Sequence, residues 1–369
     1  MSQPVAPPAP HFPSPYARPS TPPAAALRVP MADGAQVAAF VYAPAGVTDG
    51  PGTPFAIDRS LPPVVLLHGN GEEHGIFGPV IDTVVATGRS VVAIDSRAQG
   101  MSSRGTTHLT YDLMAADALE VLARLGVTLF HVAGFSDGAI EALLMARDYP
   151  RRVLSLLSVG ANLAPEGCKD EEGWDPAAIA AEQDSWADWV EALPADGPVD
   201  PSLLVPSAEE SRLTAQLMRL MVEEPHIAPE SLASIACPTT VMAGELDVIA
   251  PEETSRIASA VRSGGADVRL VVVQGCGHSI PKRAPQAMAE ALLEVVGRGD
   301  VRWGRRCPRQ PAAVVTCPVD ASWGGALDAL YLRVCEAEEA SGTSGWVRGA
   351  WPPPGLARRY AEADRKSVV

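Results

Sequence analysis

Ser136, Asp247 and His278 are the side chains in this 369-residue sequence whose types and settings could together transfer an acyl group. Ser136 stands in Gly134-Phe135-Ser136-Asp137-Gly138, after the run Leu129–Ala133 and before the helix formers Ala139–Ala146. A strand that turns sharply into a helix through a serine holds that residue in strained backbone. Glycines two positions to either side let strand and helix approach without a clash. A serine hydroxyl is a weak nucleophile near neutral pH and needs a base to take its proton. His278, in Gly275-Cys276-Gly277-His278 after the apolar run Val268–Val273, is placed to be that base. The imidazole in turn needs an acid that fixes its tautomer and stabilises its charged form. Asp247 follows the run Thr239–Ala243 and lies 31 residues before His278. Glu245 is a fallback acid, nearer the strand end and with less loop to reach across.

Acyl transfer also needs donors for the oxyanion of its tetrahedral intermediate. The backbone N–H of Asp137, at the start of the helix, is one. That of Asn70, after His68-Gly69, is the natural second, with His68 a structural member of the same turn. The Asp137 carboxylate has two readings. It complements the dipole at a helix start, or it reaches the acyl pocket and pairs with the ammonium of an α-amino acid ester. Gly69-Asn70-Gly71 is no phosphate cradle, because Glu72 and Glu73 follow it and no Walker lysine is present. His68, Glu72, Glu73 and His74 do not have the spacing of a zinc helix. The chemistry therefore calls for no metal and no cofactor.

Behind these residues the pattern predicts the elements that position them. Short apolar strands are expected at Val64–Leu67, Ser90–Asp95, Val153–Val159, Thr239–Ala243 and Val268–Val273, with a leading hairpin within Leu27–Ala43. Helices are expected at Phe77–Ala86, Tyr111–Leu125, Glu252–Ser263 and Pro285–Val296. This alternation implies βαβ units and a buried, mostly parallel sheet. It stops between residues 161 and 233, where helices at Ala177–Val190 and Ala208–Glu223 suggest an inserted cap over the carboxyl ends of the strands. The expected division is a Pro-rich unstructured arm (1–26), a core in two parts (27–160 and 234–297) around the cap, and an extension (298–369). The extension has one helical stretch, Gly324–Glu339, and no role that can be read from it.

The net charge of −15 and hydrophobic content of 47% describe a well-cored chain whose surface repels nucleic acid and anionic membranes. No apolar stretch reaches the ~20 residues a membrane helix needs, and no apolar signal core is present at the start. Cys168, Cys237, Cys276, Cys307, Cys317 and Cys335 form no C-x-x-C pair and show no metal spacing. The expectation is a cytoplasmic chain with reduced thiols and a small-molecule substrate. Neither nucleic acid nor membrane is a partner in that expectation, and oligomeric state is left open.

Taken together, His68-Gly69-Asn70, the turn Asp95-Ser96-Arg97-Ala98-Gln99-Gly100-Met101-Ser102, the Ser136 motif, Asp247 and Gly277-His278 resemble the α/β-hydrolase superfamily across roughly Leu27 to Gly297. The order Ser, Asp, His is that superfamily's order. Ala98 departs from it, since that turn usually carries glycine there. Gly134–Gly138 followed by Gly160-Ala161-Asn162 is similar to biphenyl-hydrolase-like, valacyclovirase-type esterases. The resemblance implies an α/β-hydrolase fold and a serine hydrolase that cleaves small carboxylic esters. A thioesterase, lactonase, amidase or C–C bond hydrolase could use the same residues, and a catalytically silent protein of this fold that binds a small ligand is the reading from another class.

Overall fold

The computed structural model describes residues 16–50, 54–58, 61–169, 174–194 and 199–306. The chain divides into two units, Met1–Asp300 and Val301–Val369, and only residues 301–306 of the second are described. In chain order the elements are β1 (Ala25–Pro30), β2 (Gln36–Tyr42), β3 (Val64–Leu67), α1 (Gly78–Ala86), β4 (Val91–Ile94), α2 (Tyr111–Arg124), β5 (Phe130–Phe135) and α3 (Asp137–Asp148). They continue with β6 (Val153–Val159), α4 (Pro176–Glu191), α5 (Ala208–Glu223), β7 (Thr239–Gly244), α6 (Pro251–Ser263), β8 (Val268–Val273), α7 (Ile280–Arg283) and α8 (Pro285–Arg306).

The strands form one sheet of eight in the order β1-β2-β4-β3-β5-β6-β7-β8. The β1–β2 and β2–β4 pairs are antiparallel, and every pair from β4 to β8 is parallel. The continuous apolar runs follow from burial on both faces. In β3, Val65 and Leu67 enter the core packed by α2, α3 and α6, while Val64 and Leu66 enter the core packed by α1 and α8. This is the two-residue period of a strand covered on both sides. β8 lies at the sheet edge, which leaves Leu270 and Val272 about half exposed.

Between β6 and β7 the described residues form helices, turns and irregular chain but no strand of the sheet, and a bridge pairs Cys168 with Ile249. α4 starts at Asp175, whose carboxylate accepts from the Ala177 and Ala178 N–H groups. α5 starts with a reciprocal capping box between Ser207 and Glu210. The two helices pack through Ala180, Ala215 and Met218.

Two expectations need correction. The reading of 1–26 as an unstructured arm fails from Tyr16 onward, residues 1–15 lying outside the described set. Ser20 donates to Asp82 through its N–H (2.8 Å) and hydroxyl (2.7 Å), and the Thr21 N–H donates to the same carboxylate (2.9 Å). Ala17–Pro19 lies so close to Gly78 that an added Cβ there would come 2.1 Å from the Ala17 oxygen. Composition could not show that a helix start without a side-chain cap would receive this segment. The boundary at Gly297 also moves, because α8 runs on to Arg306. Within it Gly299 is a point of close approach, its missing Cβ making room for the Leu154 oxygen and the His131 ring. The predicted helix Gly324–Glu339 and Cys307, Cys317 and Cys335 lie outside the described residues; Cys168 and Cys276 are free thiols.

Candidate active site

The parallel strands bring distant parts of the chain to one edge of the sheet. β5 ends at Phe135 and α3 begins at Asp137, so Ser136 alone makes the turn, with φ 54 and ψ −120. A non-glycine residue at such an angle is strained. The turn closes tightly, since a Cβ on Gly134 would sit 1.9 Å from the Gly138 oxygen and one on Gly138 would sit 2.2 Å from the Leu67 oxygen.

Across from this turn, the His278 Nε2 lies 3.0 Å from the Ser136 Oγ, and its Nδ1 lies 2.7 Å from the Asp247 Oδ1. The Phe135 ring packs at 5.0 Å against the imidazole. Asp247 is 3% exposed. Burial alone would raise its carboxyl, but His278 and the N–H groups of Ile249 and Gly244 hold it below the ordinary carboxylate value. Lys169 Nζ donates to the Asp247 carbonyl at 2.5 Å, fixing the loop from a second side. Glu245 is turned elsewhere and accepts the Gly275 N–H at 2.8 Å.

Beside the serine, Gly69 is so close that a Cβ there would lie 3.0 Å from the Ser136 Cβ. Asn70 therefore starts its loop next to the hydroxyl. Its side-chain Nδ2 donates to the Asp137 Oδ2 at 2.9 Å and to the Leu217 carbonyl at 3.0 Å, joining the serine turn to α5. His68 is wholly buried; its Nδ1 lies 2.8 Å from the Gly69 carbonyl, and its Nε2 accepts the Ser96 N–H at 2.9 Å. Burial lowers its pKa, so the neutral Nδ1–H tautomer satisfies both contacts.

Two residues at this edge, Tyr111 and Glu141, were not foreseen. The Asp137 carboxylate is buried and accepts from Asn70 and from the Tyr111 hydroxyl, and desolvation raises its pKa to about 6. One turn along α3, Glu141 is buried as well, accepting the Ser96 hydroxyl at 2.9 Å. Desolvation, assisted by the Asp137 charge, pushes Glu141 up to about 8. An acid set among Ala139-Ile140-Glu141-Ala142-Leu143-Leu144 was the available signal. Tyr111, a helix-start aromatic, gave none.

A group of potential metal ligands also occurs here. One ligand atom each from Glu73, His74 and Asp95 lies within 4.8 Å of the others. These atoms already have donors: Tyr16 and Arg18 for Glu73, and the His74 N–H, His74 Nδ1 and Met101 N–H for Asp95. Their lone pairs hold the loop together. Among the described residues no helix is long and apolar enough to cross a membrane.

Comparisons with known proteins agree with this architecture. Residues 62–203 match the family described as alpha/beta hydrolase fold. The sn-1-specific diacylglycerol lipase ABHD11 of Xenopus laevis is 35% identical over 105 residues, 28% of this chain and 33% of that protein. Its Xenopus tropicalis counterpart is 33% identical over 33% of this chain and 37% of its own length, so the chain spans little more than a third of these two relatives. The putative carbamate hydrolase RutD of Azorhizobium caulinodans is 26% identical over 64% of this chain and 92% of its own length. A crystal structure of a hydrolase from Pseudomonas aeruginosa superposes with a TM-score of 0.52 and 22% identity, covering 74% of this chain and 98% of that one. Strand order, the strained serine turn and these matches converge on one conclusion: the chain has the α/β-hydrolase fold.

Proposed function

We propose that the protein is a serine hydrolase that cleaves small carboxylic esters through an acyl-enzyme. The observation that carries this reading is the unbroken hydrogen-bonded chain from Ser136 through His278 to Asp247, at 3.0 and 2.7 Å. In the proposed reaction the Ser136 Oγ attacks the ester carbonyl while the His278 Nε2 takes its proton. Asp247 holds the Nδ1–H tautomer and stabilises the imidazolium. The backbone N–H groups of Asn70 and Asp137 receive the oxyanion, where losing one such donor costs about 3 kcal/mol of transition-state stabilisation. His278 then hands its proton to the departing alkoxide. Water, deprotonated by the same nitrogen, attacks the acyl-serine and frees the acid. The segment 161–233 acts as a cap in this reading, which the contact of Asn70 with Leu217 and that of Arg104 Nε with Gln216 Oε1 at 2.5 Å support.

A narrower substrate class is favoured by one observation. Asp137 adjoins the nucleophile with a carboxylate buried beside the site, so an α-amino acid ester could place its ammonium against it. Asp137→Ala then lowers turnover of an amino acid ester far more than that of its desamino analogue, and equal losses remove the idea.

The general reading is tested with a fluorophosphonate probe and a panel of short-chain esters and thioesters. The wild type is expected to be labelled at Ser136, located by peptide mass spectrometry, and to turn over esters. Ser136→Ala is expected to do neither, with kcat lower by on the order of 10⁴-fold or more. A folded wild type that neither labels nor hydrolyses would make the chain a silent member of the fold.

A further inference from the structure

The proposed acyl transfer needs two loops held in fixed relation: residues 68–73, which carry Asn70, and residues 275–283, which carry His278. An ion pair joins them, Lys282 Nζ with Glu72 Oε1, and their side chains are only 4% and 14% exposed. An ammonium this deeply covered needs its carboxylate partner beside it to offset the cost of leaving water. Beside the pair, Ile280 packs in the same apolar cluster as Ile76 and Phe77.

The ion pair has a cover that comes from another part of the chain. The Tyr16 ring lies 5.5 Å from the Lys282 ammonium, within cation–π range. The Tyr16 hydroxyl donates to the Glu73 Oε1 at 2.7 Å, and the Arg18 guanidinium meets the same oxygen at 2.5 Å. Burial, then the adjoining Glu73, pushes the hydroxyl up to about 12, so it remains a donor at neutral pH. The segment that brings Tyr16 here is itself anchored, by Ser20 and Thr21 on Asp82 and by the fit of Ala17–Pro19 over Gly78.

We propose that Tyr16, Glu72 and Lys282 are positioning residues for the reaction, with the segment 16–21 sealing the ion pair that keeps the oxyanion loop and the histidine loop in register. This rests on the serine-hydrolase reading. The oxyanion donor and the base both act in the transition state, so disturbing their relation lowers kcat and leaves KM nearly unchanged.

The test uses the full chain and its variants Tyr16→Phe, Tyr16→Ala, Lys282→Met, Lys282→Arg, Glu72→Gln and the double change Glu72→Gln/Lys282→Met. Active sites are titrated with a fluorophosphonate, kcat and KM are measured on a short-chain nitrophenyl ester, and thermal unfolding is recorded alongside. Per titrated site, Lys282→Met and Tyr16→Ala are expected to lose roughly tenfold or more in kcat with KM within about twofold. Tyr16→Phe keeps the ring and loses less, and Lys282→Arg keeps the charge and recovers most of the rate. The double variant is expected to be no slower than the slower of its single variants. Should Lys282→Met not fold, Tyr16→Ala decides the matter. Variants that melt earlier but keep the wild-type kcat per titrated site overturn this inference and leave the serine-hydrolase reading standing. A wild type with no labelling and no turnover overturns both.

Discussion

On the proposed reading Asp247 orients the base, and its own ionisation is set by the same contacts. Its carboxyl is held below the ordinary value by the His278 ring and two backbone N–H groups, against the pull of burial. Replacement by Asn keeps the shape but favours the wrong imidazole tautomer, so Asp247→Asn is expected to fold and to lose about 10⁴-fold in kcat, read by steady-state kinetics. Glu141 and Asp137 behave in the opposite sense. Each carboxyl is raised by burial, to about 8 and about 6, so the folded protein retains protons that the unfolded chain has released. Stability contributed this way falls as pH climbs from the ordinary 4.5 of a glutamate toward about 8. Denaturant unfolding across that range is expected to show the decline, and Glu141→Gln to flatten it. The convergence of Ser136, Asp247 and His278 was legible because each residue follows an apolar strand, in a chain order that few alternatives share. The buried Tyr111–Asp137–Asn70 contacts were not, because no local pattern reports which side chains meet across α2, α3 and the loop after β3.

At the next scale up, the turns at the strand ends decide whether the residues meet. Gly160 follows β6 with φ +66, and a Cβ there would lie 2.9 Å from the His278 Cε1. Gly160→Ala is therefore expected to destabilise by about 1–2 kcal/mol for the left-handed backbone and to cut kcat at least tenfold by displacing the imidazole, seen in thermal melts and kinetics together. Ala98 presents the converse. It adopts φ 65 in the turn after β4, where the superfamily's pattern carries glycine. Ala98→Gly relieves that strain at some cost in unfolded-chain entropy, and a gain of up to about 1 kcal/mol is expected with turnover unchanged. Strand β3 was read to the residue because burial on both faces writes an uninterrupted apolar run. The end of α8 was misread because glycine in a helix also marks close packing, and sequence alone does not separate that use from a stop.

For the whole molecule, a net charge of −15 sets up a field that favours cationic partners. Between two otherwise matched esters, one bearing an ammonium and one a carboxylate, kcat/KM is expected to favour the ammonium. The preference should shrink as salt is added, since exposed charges are screened over about 8–10 Å at moderate ionic strength. The fold class was legible from alternation alone, whereas the placement of residues 16–21 was not, because its anchors Glu73, Gly78 and Asp82 lie more than fifty residues away. One contact binds upper and lower parts of this site: Asn70 reaches down to Asp137 beside the nucleophile and up to the Leu217 carbonyl of α5. On the proposed reading, breadth of substrate choice and speed of turnover share a hinge pin. Reshaping α5 to admit a bulkier ester would tug on the cradle that receives the negative charge, so altered selectivity and altered rate should arrive together rather than be tuned apart.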